Sequence, residues 1–259
     1  MMRVGIIGGG AICRYVLERA NEEKQQSFTV TSVVVRDVEK YAELAETYDV
    51  LLFDDLTQFL RSDIDVVVEA ATIEAAREYV PTALTTHDVV VISIGAFNDR
   101  HFSTRVYDKA KKYKTRLFVP SGAIGGLDLI QHVAASNTVD EISLVTKKPA
   151  HTLTEEKLKE QKVIFEGTAS EAVAKYPRNM NVSVALGLAG LGFSKTSVQL
   201  IADPTIQKNV HHIEARGDFG KASFEIENEP LKENPKSSYL AAISIVGTLE
   251  NMNKALIIG

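Results

Sequence analysis

Three groups of residues in this 259-residue chain have types and spacing suited to chemistry. The first is Gly8-Gly9-Gly10, set between the apolar run Arg3-Val4-Gly5-Ile6-Ile7 and a helical stretch from Ala11 to Ala20. In a strand–turn–helix unit, Gly8 permits the tight turn out of the strand. Gly10 lets backbone N–H groups approach a pyrophosphate, and the helix N-terminus adds partial positive charge. The third small position of the motif is Cys13, a tolerable but weaker match to glycine. Gly8, Gly10, Ala11 and Ile12 are therefore candidate cofactor contacts for NAD or NADP. Three glycines alone are a weak signal, and their place between strand and helix strengthens it.

The second group is Arg36-Asp37, at the end of the β-branched run Thr29 to Val35. An acid there binds the ribose hydroxyls of NAD, and an arginine accommodates the 2′-phosphate of NADP. Both residues are present, so both cofactors remain open. The third group is His211-His212 in the strand-like segment Asn209 to Arg216. Neighbours on a strand face opposite ways. His212 shares its face with Glu214 and Arg216, and His211 shares its face with Ile213 and Ala215. His211 is therefore the buried or cleft-facing one. Alternation alone reads it as a core residue more readily than as a catalyst. An imidazole titrating near about 6.5 would serve as acid and base alike. His87, His101, His132 and His151 have no evident partners. No cluster has metal-ligand spacing, and no G-x-S-x-G nucleophile elbow is present.

Composition narrows the class. The formal net charge is −5 with no basic tract, so nucleic-acid binding has no electrostatic footprint. A single cysteine excludes an internal disulfide and fits a reducing compartment. Cys13 reads as a packing residue rather than a reactive thiol. No apolar run is long enough to span a bilayer, and the first residues read as a core strand rather than a signal peptide, which predicts a cytoplasmic protein.

The elements that must position these groups follow from periodicity. Strands are expected at Thr29–Val35, Val50–Phe53, Asp65–Ala71, Asp88–Gly95 and Arg116–Val119. Helices alternate with them at Val38–Thr47, Ile73–Thr86 (with Pro81 as a kink) and Asp99–Tyr113. The runs DVVVEAA and DVVVISIG are apolar throughout, as in a parallel sheet covered on both faces. The fold class is α/β: a Rossmann-type doubly wound sheet over 1–119, then a smaller α+β domain over 120–235. Strands at Glu141–Thr146, Lys162–Glu166, Thr196–Ala202, Asn209–Arg216 and Lys221–Glu227 predict a mostly antiparallel or mixed sheet there. Helices are expected at Ala169–Tyr176 and Val182–Leu191. A last helix from Lys236, announced by Asn234-Pro235, would pack back on the first domain. Ligands of open α/β sheets bind beyond the strand ends. This brings forward Ala71 after the fourth strand and Pro120–Gly126 after the sixth, where Ser121 and Gly122 would line the cleft between the domains.

Together these segments resemble the L-aspartate dehydrogenases. The likeness rests on GGGAI at 8–12, DVVVEAA at 65–71, SIGAF at 93–97, VPSGAIGGLD at 119–128, TKKP at 146–149, FEGTASEAV at 165–173 and NMNVSVALGLAG at 179–190. It continues through ADP at 202–204, NVHHIEARGDFG at 209–220 and NPKSS at 234–238. PSGAIGGLD and N-x-H-x-I are far more specific than the glycine turn. The resemblance implies reversible oxidative deamination of aspartate with NAD(P)+, through iminoaspartate, in a homodimer whose second domain binds substrate and builds the dimer. It places the catalytic histidine on His211 and cofactor contacts on Ala123 and Asn181. Two substrate carboxylates would then need cations, and Lys147 and Lys236, with Lys148, Arg178 and Lys195, are candidates by location. From the residues alone, two other readings stand: another amino- or keto-acid dehydrogenase, and a non-catalytic NAD(P) sensor.

Overall fold

The structure, a computed structural model, describes residues 1–23, 26–176 and 180–256. It divides into two compact units, one comprising Met1–Pro120 with Ala241–Gly259 and the other Ser121–Leu240.

The first unit alternates strand and helix: β1 (Met2–Ile7), α1 (Ala11–Leu17), β2 (Phe28–Val34), α2 (Ala42–Tyr48), β3 (Leu51–Phe53), α3 (Leu56–Leu60), β4 (Val66–Glu69), α4 (Ile73–Ala83), β5 (Asp88–Val91), α5 (Arg100–Tyr113) and β6 (Leu117–Phe118). The strands pair in parallel in the order β3-β2-β1-β4-β5-β6. This is the doubly wound arrangement, with its switch point between β1 and β4. β4 is buried at every residue because helices cover both faces, which is why its sequence does not alternate. Side-chain caps start α3, α4 and α5. Asp55 accepts from Gln58 N, Thr72 from Ala75 N, and Asp99 from His101 N and Phe102 N. α4 runs through Pro81, which is buried. α1 widens at its end into a π-helical turn, Glu18–Glu22.

Cys13 is fully buried among Val4, Ile6, Val33 and Val68. Burial, only partly offset by Arg14, pushes its thiol up to about 12, so it is a packing group.

The second unit holds α6 (Leu127–Ala135), β7 (Glu141–Pro149), β8 (Lys162–Thr168), α7 (Ala169–Lys175), α8 (Asn181–Ala189), β9 (Thr196–Asp203), β10 (Asn209–Gly217), β11 (Gly220–Asn228), β12 (Pro230–Leu231) and β13 (Asn234–Ser238). Its main sheet has the order β11-β10-β7-β9-β8 and is mixed: β7 and β9 are parallel and the other pairs antiparallel. One face is covered by helices. A Cβ on Gly190, just past α8, would meet Ile142 of β7 and Ile130 of α6. Thr168 opens α7 with a capping box, its hydroxyl accepting from Glu171 N while the Glu171 carboxylate accepts from Thr168 N.

Three elements depart from the sequence reading. α3 and α6 were not anticipated. The last helix, α9 (Tyr239–Met252), starts three residues after Lys236. Asn234-Pro235 does not open a helix; it belongs to β13, which pairs with β12. Tyr239 N then donates to Glu229 O at 2.9 Å, ending the hairpin where the helix begins. α9 buries Ile245 and Leu249 in the core of the first unit, each contributing about 1.5–3 kcal/mol. Glu250 Oε1 accepts from Ser27 N at 2.7 Å, and Asn253 Nδ2 donates to Ser27 O at 3.1 Å.

The turn after β1 depends on Gly8. Its φ is +104°, and a Cβ there would stand 2.8 Å from Ala71 Cβ and 2.9 Å from Ala70 O. Gly8→Ala should therefore lower stability by roughly 1–3 kcal/mol, read as a reduced urea midpoint. An unchanged midpoint would contradict this account of the turn.

Candidate active site

In the first unit, the C-terminal ends of β1, β2 and β4 frame a cleft of about 600 Å³. Gly8, Gly9 and Gly10 line it on one side, Arg36, Asp37, Lys40 and Tyr41 on another, and Ala70, Ala71 and Thr72 on a third. A Cβ on Gly10 would meet nothing within 4 Å, so the backbone there faces open space. The shape and the bare backbone fit a dinucleotide laid across the strand ends. Ala11 and Ile12 are not among the lining residues, and Ile12 packs against the core. Gly9 matters beyond the motif reading, because a Cβ on it would stand 2.7 Å from the Tyr41 ring.

Beneath Ala71 lies a residue that the sequence reading passed over. Glu69 ends β4 with no exposed surface. Its Oε1 accepts from Ala71 N at 2.9 Å and from Ser93 Oγ at 2.8 Å, and its Oε2 from Ser93 N at 3.0 Å. One carboxyl thus ties the turn after β4 to the turn after β5. Burial raises its pKa above the ordinary glutamate value, against the lowering effect of these hydrogen bonds. A glutamate closing the apolar run VVV was the available signal.

In the second unit, β10 presents His211 at 4 % exposure beside Ile213 and Ala215, both fully buried. His212 lies on the other face, 3.7 Å from the Glu225 carboxylate. The ladder opposes His211 to Thr146 of β7, and His211 Nδ1 lies 3.0 Å from Thr146 Oγ1. Thr146 is itself buried. Two residues further along β7, on the same face, is Lys148. Burial first, and then the charge of Lys148, push the His211 pKa down to about 4. The expected titration near 6.5 does not hold in this structure: the imidazole is neutral at pH 7. Burial also lowers the pKa of Lys148.

Ala123 is held close to this sheet face. Asn228, opposite Asn209 in the β10–β11 ladder, donates from Nδ2 to Ala123 O at 2.9 Å. Ser238 Oγ donates to Asn228 Oδ1 at 2.5 Å, fixing the amide. Asn228 was also missed by the sequence reading; it ends an alternating strand and is 4 % exposed. Ser121 O accepts from Ile124 N, and Gly122 has φ +66°, so the loop turns tightly just before Ala123.

The remaining candidates separate. Asn181 is the exposed first residue of α8. Lys147 pairs with Val210 and so faces away from His211; Lys148 is the cation on the histidine face. Lys195 is exposed in the turn before β9. Lys236 falls within β13, and its side chain lies outside the described residues, as does Arg178. Among the described residues no group of three or more His, Cys, Asp or Glu could hold a metal ion.

Comparison with known proteins gives two family matches along the chain. Residues 8–120 match the family described as homoserine dehydrogenase, NAD binding domain, and residues 128–252 match aspartate dehydrogenase, C-terminal. The chain is 36% identical to an L-aspartate dehydrogenase of Methanosarcina mazei, with all of both chains covered. It is 37% identical to one from Archaeoglobus fulgidus, over 99% of this chain and all of the relative. The crystal structure of aspartate dehydrogenase from Thermotoga maritima superposes with a TM-score of 0.81 at 32% identity, covering both chains completely. With relatives of this similarity over its whole length, the chain belongs to the L-aspartate dehydrogenase family.

Proposed function

We propose that the protein catalyses the reversible oxidative deamination of L-aspartate to oxaloacetate and ammonia, through iminoaspartate, with NAD(P)+ as oxidant. The observation that carries this reading is the buried, neutral His211, locked to Thr146 on the face shared with Lys148, in a chain that belongs to this family. A nicotinamide bound by this chain would supply the hydride acceptor for the aspartate Cα. Gly8, Gly10, Arg36, Asp37 and Ala71 would hold the dinucleotide, and Ala123 and Asn181 are the further residues assigned to it. Ser121 and Gly122 border the substrate. Lys148, rather than Lys147, meets a substrate carboxylate.

The chain's own part is proton handling. In the tautomer whose Nδ1–H donates to Thr146 Oγ1, the Nε2 lone pair of His211 is left to take a proton from water attacking the imine. In the reverse direction the protonated ring returns it. A pKa near 4 makes a weak base, and a bound substrate would relieve the smaller of its two causes. A carboxylate beside Lys148 offsets the cation that depresses the imidazole and favours the protonated form. Binding of the dianion thus moves His211 toward the working pH at the moment of need.

A homodimer belongs to the same reading. The second face of the main sheet leaves Ser143, Val145, Lys147, Val210 and His212 only partly buried, as a surface for a second copy. No helix among the described residues is long and apolar enough to cross a membrane, and a cytoplasmic location is part of the same proposal. The partners are small molecules, and one outlet for iminoaspartate is NAD biosynthesis.

The decisive assay is NAD(P)H oxidation with oxaloacetate, with and without ammonia. Ammonia-dependent turnover, absent with pyruvate and 2-oxoglutarate, is expected. Oxidation without ammonia would instead mark a hydroxy-acid dehydrogenase, and cofactor binding without turnover would mark a sensor. His211→Ala should reduce kcat by roughly 10²–10⁴-fold while cofactor affinity stays near normal. Near-wild-type turnover would remove the histidine from the mechanism.

Burial of the neutral imidazole also sets a pH dependence. The folded-state value, about 4, lies below the ordinary histidine value of 6.5, so the unfolded chain binds the extra proton between them. Stability from this group is complete above pH 6.5 and is lost as pH falls toward 4. On acidification from pH 7 to 4.5, the wild type should lose about 2–3 kcal/mol more than His211→Asn, measured by urea unfolding at each pH. Parallel losses in the two proteins would mean that the ring is not held neutral.

A further inference from the structure

In doubly wound folds the choice between dinucleotides is made where the adenosine 2′ position meets the end of the second strand, which here is β2. Strand β2 ends at Val34, and Val35 prolongs it, its N–H donating to Phe53 O at 2.8 Å. Val35 is 6% exposed. Its Cγ1 lies 3.1 Å from the place a Cβ on Gly9 would occupy. The strand-end position against the glycine turn therefore carries an apolar side chain, where a carboxylate would bind the ribose hydroxyls of NAD.

The first acid, Asp37, comes two residues later, and it is partly committed. Its Oδ1 accepts from Lys40 N at 3.0 Å, closing the turn that begins the 3-10 segment Glu39–Tyr41. That turn brings Lys40 and Tyr41 into the cleft lining beside Arg36. Tyr41 packs against Gly9, and Lys40 Nζ lies 5.5 Å from its ring centroid. No ion pair or hydrogen bond with another described residue engages the Arg36 side chain. Arg36 and Lys40 are both exposed, so neither needs to be desolvated before meeting a ligand. The other acids of the lining are Asp54, after β3, and Glu74 and Glu78 on α4. They come from other elements, and the segment after β2 itself contributes two cations and one partly engaged carboxylate.

We propose that the protein prefers NADP(H) to NAD(H), with Arg36 and Lys40 holding the adenosine 2′-phosphate. The proposal rests on the reading of this cleft as the dinucleotide site. A guanidinium matches a phosphate through two parallel N–H donors, and the ammonium adds a point charge. The hydroxyl pair of NAD offers neither cation a charged partner, and the carboxylate that would accept from it is turned into the cap.

The test is direct binding to the purified, cofactor-free protein, by fluorescence titration with NADPH and with NADH. NADPH should bind at least roughly 10-fold more tightly. Arg36→Ala and Lys40→Ala should each weaken NADPH by roughly 10-fold and NADH by less than about twofold. Adenosine 2′,5′-bisphosphate should displace NADPH at concentrations where ADP does not. The preference should shrink as salt is raised, because the contacts are exposed charges. Equal affinity for the two cofactors, or tighter NADH binding, would overturn the proposal and leave the dehydrogenase reading intact. If neither dinucleotide binds, both fall together. Both side chains are exposed, so circular dichroism and urea midpoints of the variants should match the wild type, and a variant that weakens both cofactors equally would also count against the proposal.

Discussion

The register of β10 against β7 is the constraint on which the site depends. It opposes His211 to Thr146 and, by alternation, puts Lys148 on the same face. A slip of one residue would exchange His211 for His212, a partly exposed ring beside Glu225. The ladder is pinned along the stretch that runs from His211 to Gly217. Ile142, Leu144, Ile213 and Ala215 fill the helix-covered face and are all within 1% of full burial. At the far end Gly217 passes so close to the Thr138 carbonyl that no side chain fits there. Apolar packing therefore decides which imidazole is buried, and burial decides its protonation state.

Much of this was legible because it is local or periodic. The unbroken apolar runs of β4 and β5, the glycine turn and the alternation along β10 each express a single element's own geometry. The errors lie where partners come from elsewhere. Asn234-Pro235 looks like a helix start until β12 pairs with it. Lys147 and Lys148 are equivalent in sequence, and only the pairing of β7 with β10 tells which one meets the histidine. The pKa of His211 departs from its ordinary value through burial and Lys148, and neither can be read from its neighbours in the chain. α3 and α6 were readable. Asp55 before Leu56 and Phe59 is a capped helix start, and Leu127, Ile130 and Val133 recur at helical spacing.

Glu69 and His211 show one physical device used in two ways. Each is a titratable group at a strand end, shut away from water, whose charged form is opposed by burial. Glu69 is surrounded by donors: two backbone N–H groups and a hydroxyl converge on it. Those bonds fix the turns at Ala71 and Ser93 whichever way the carboxyl titrates, so it acts as structure. His211 has one hydroxyl partner on one ring nitrogen and a cation nearby. Its second nitrogen is not used by that bond, and its charge state is set first by burial and then by the charge of Lys148. A fully satisfied buried group resists change, while a half-satisfied one beside an opposing charge responds to a ligand. On the proposed mechanism, the difference between scaffold and catalyst lies in the count of partners, with burial common to both.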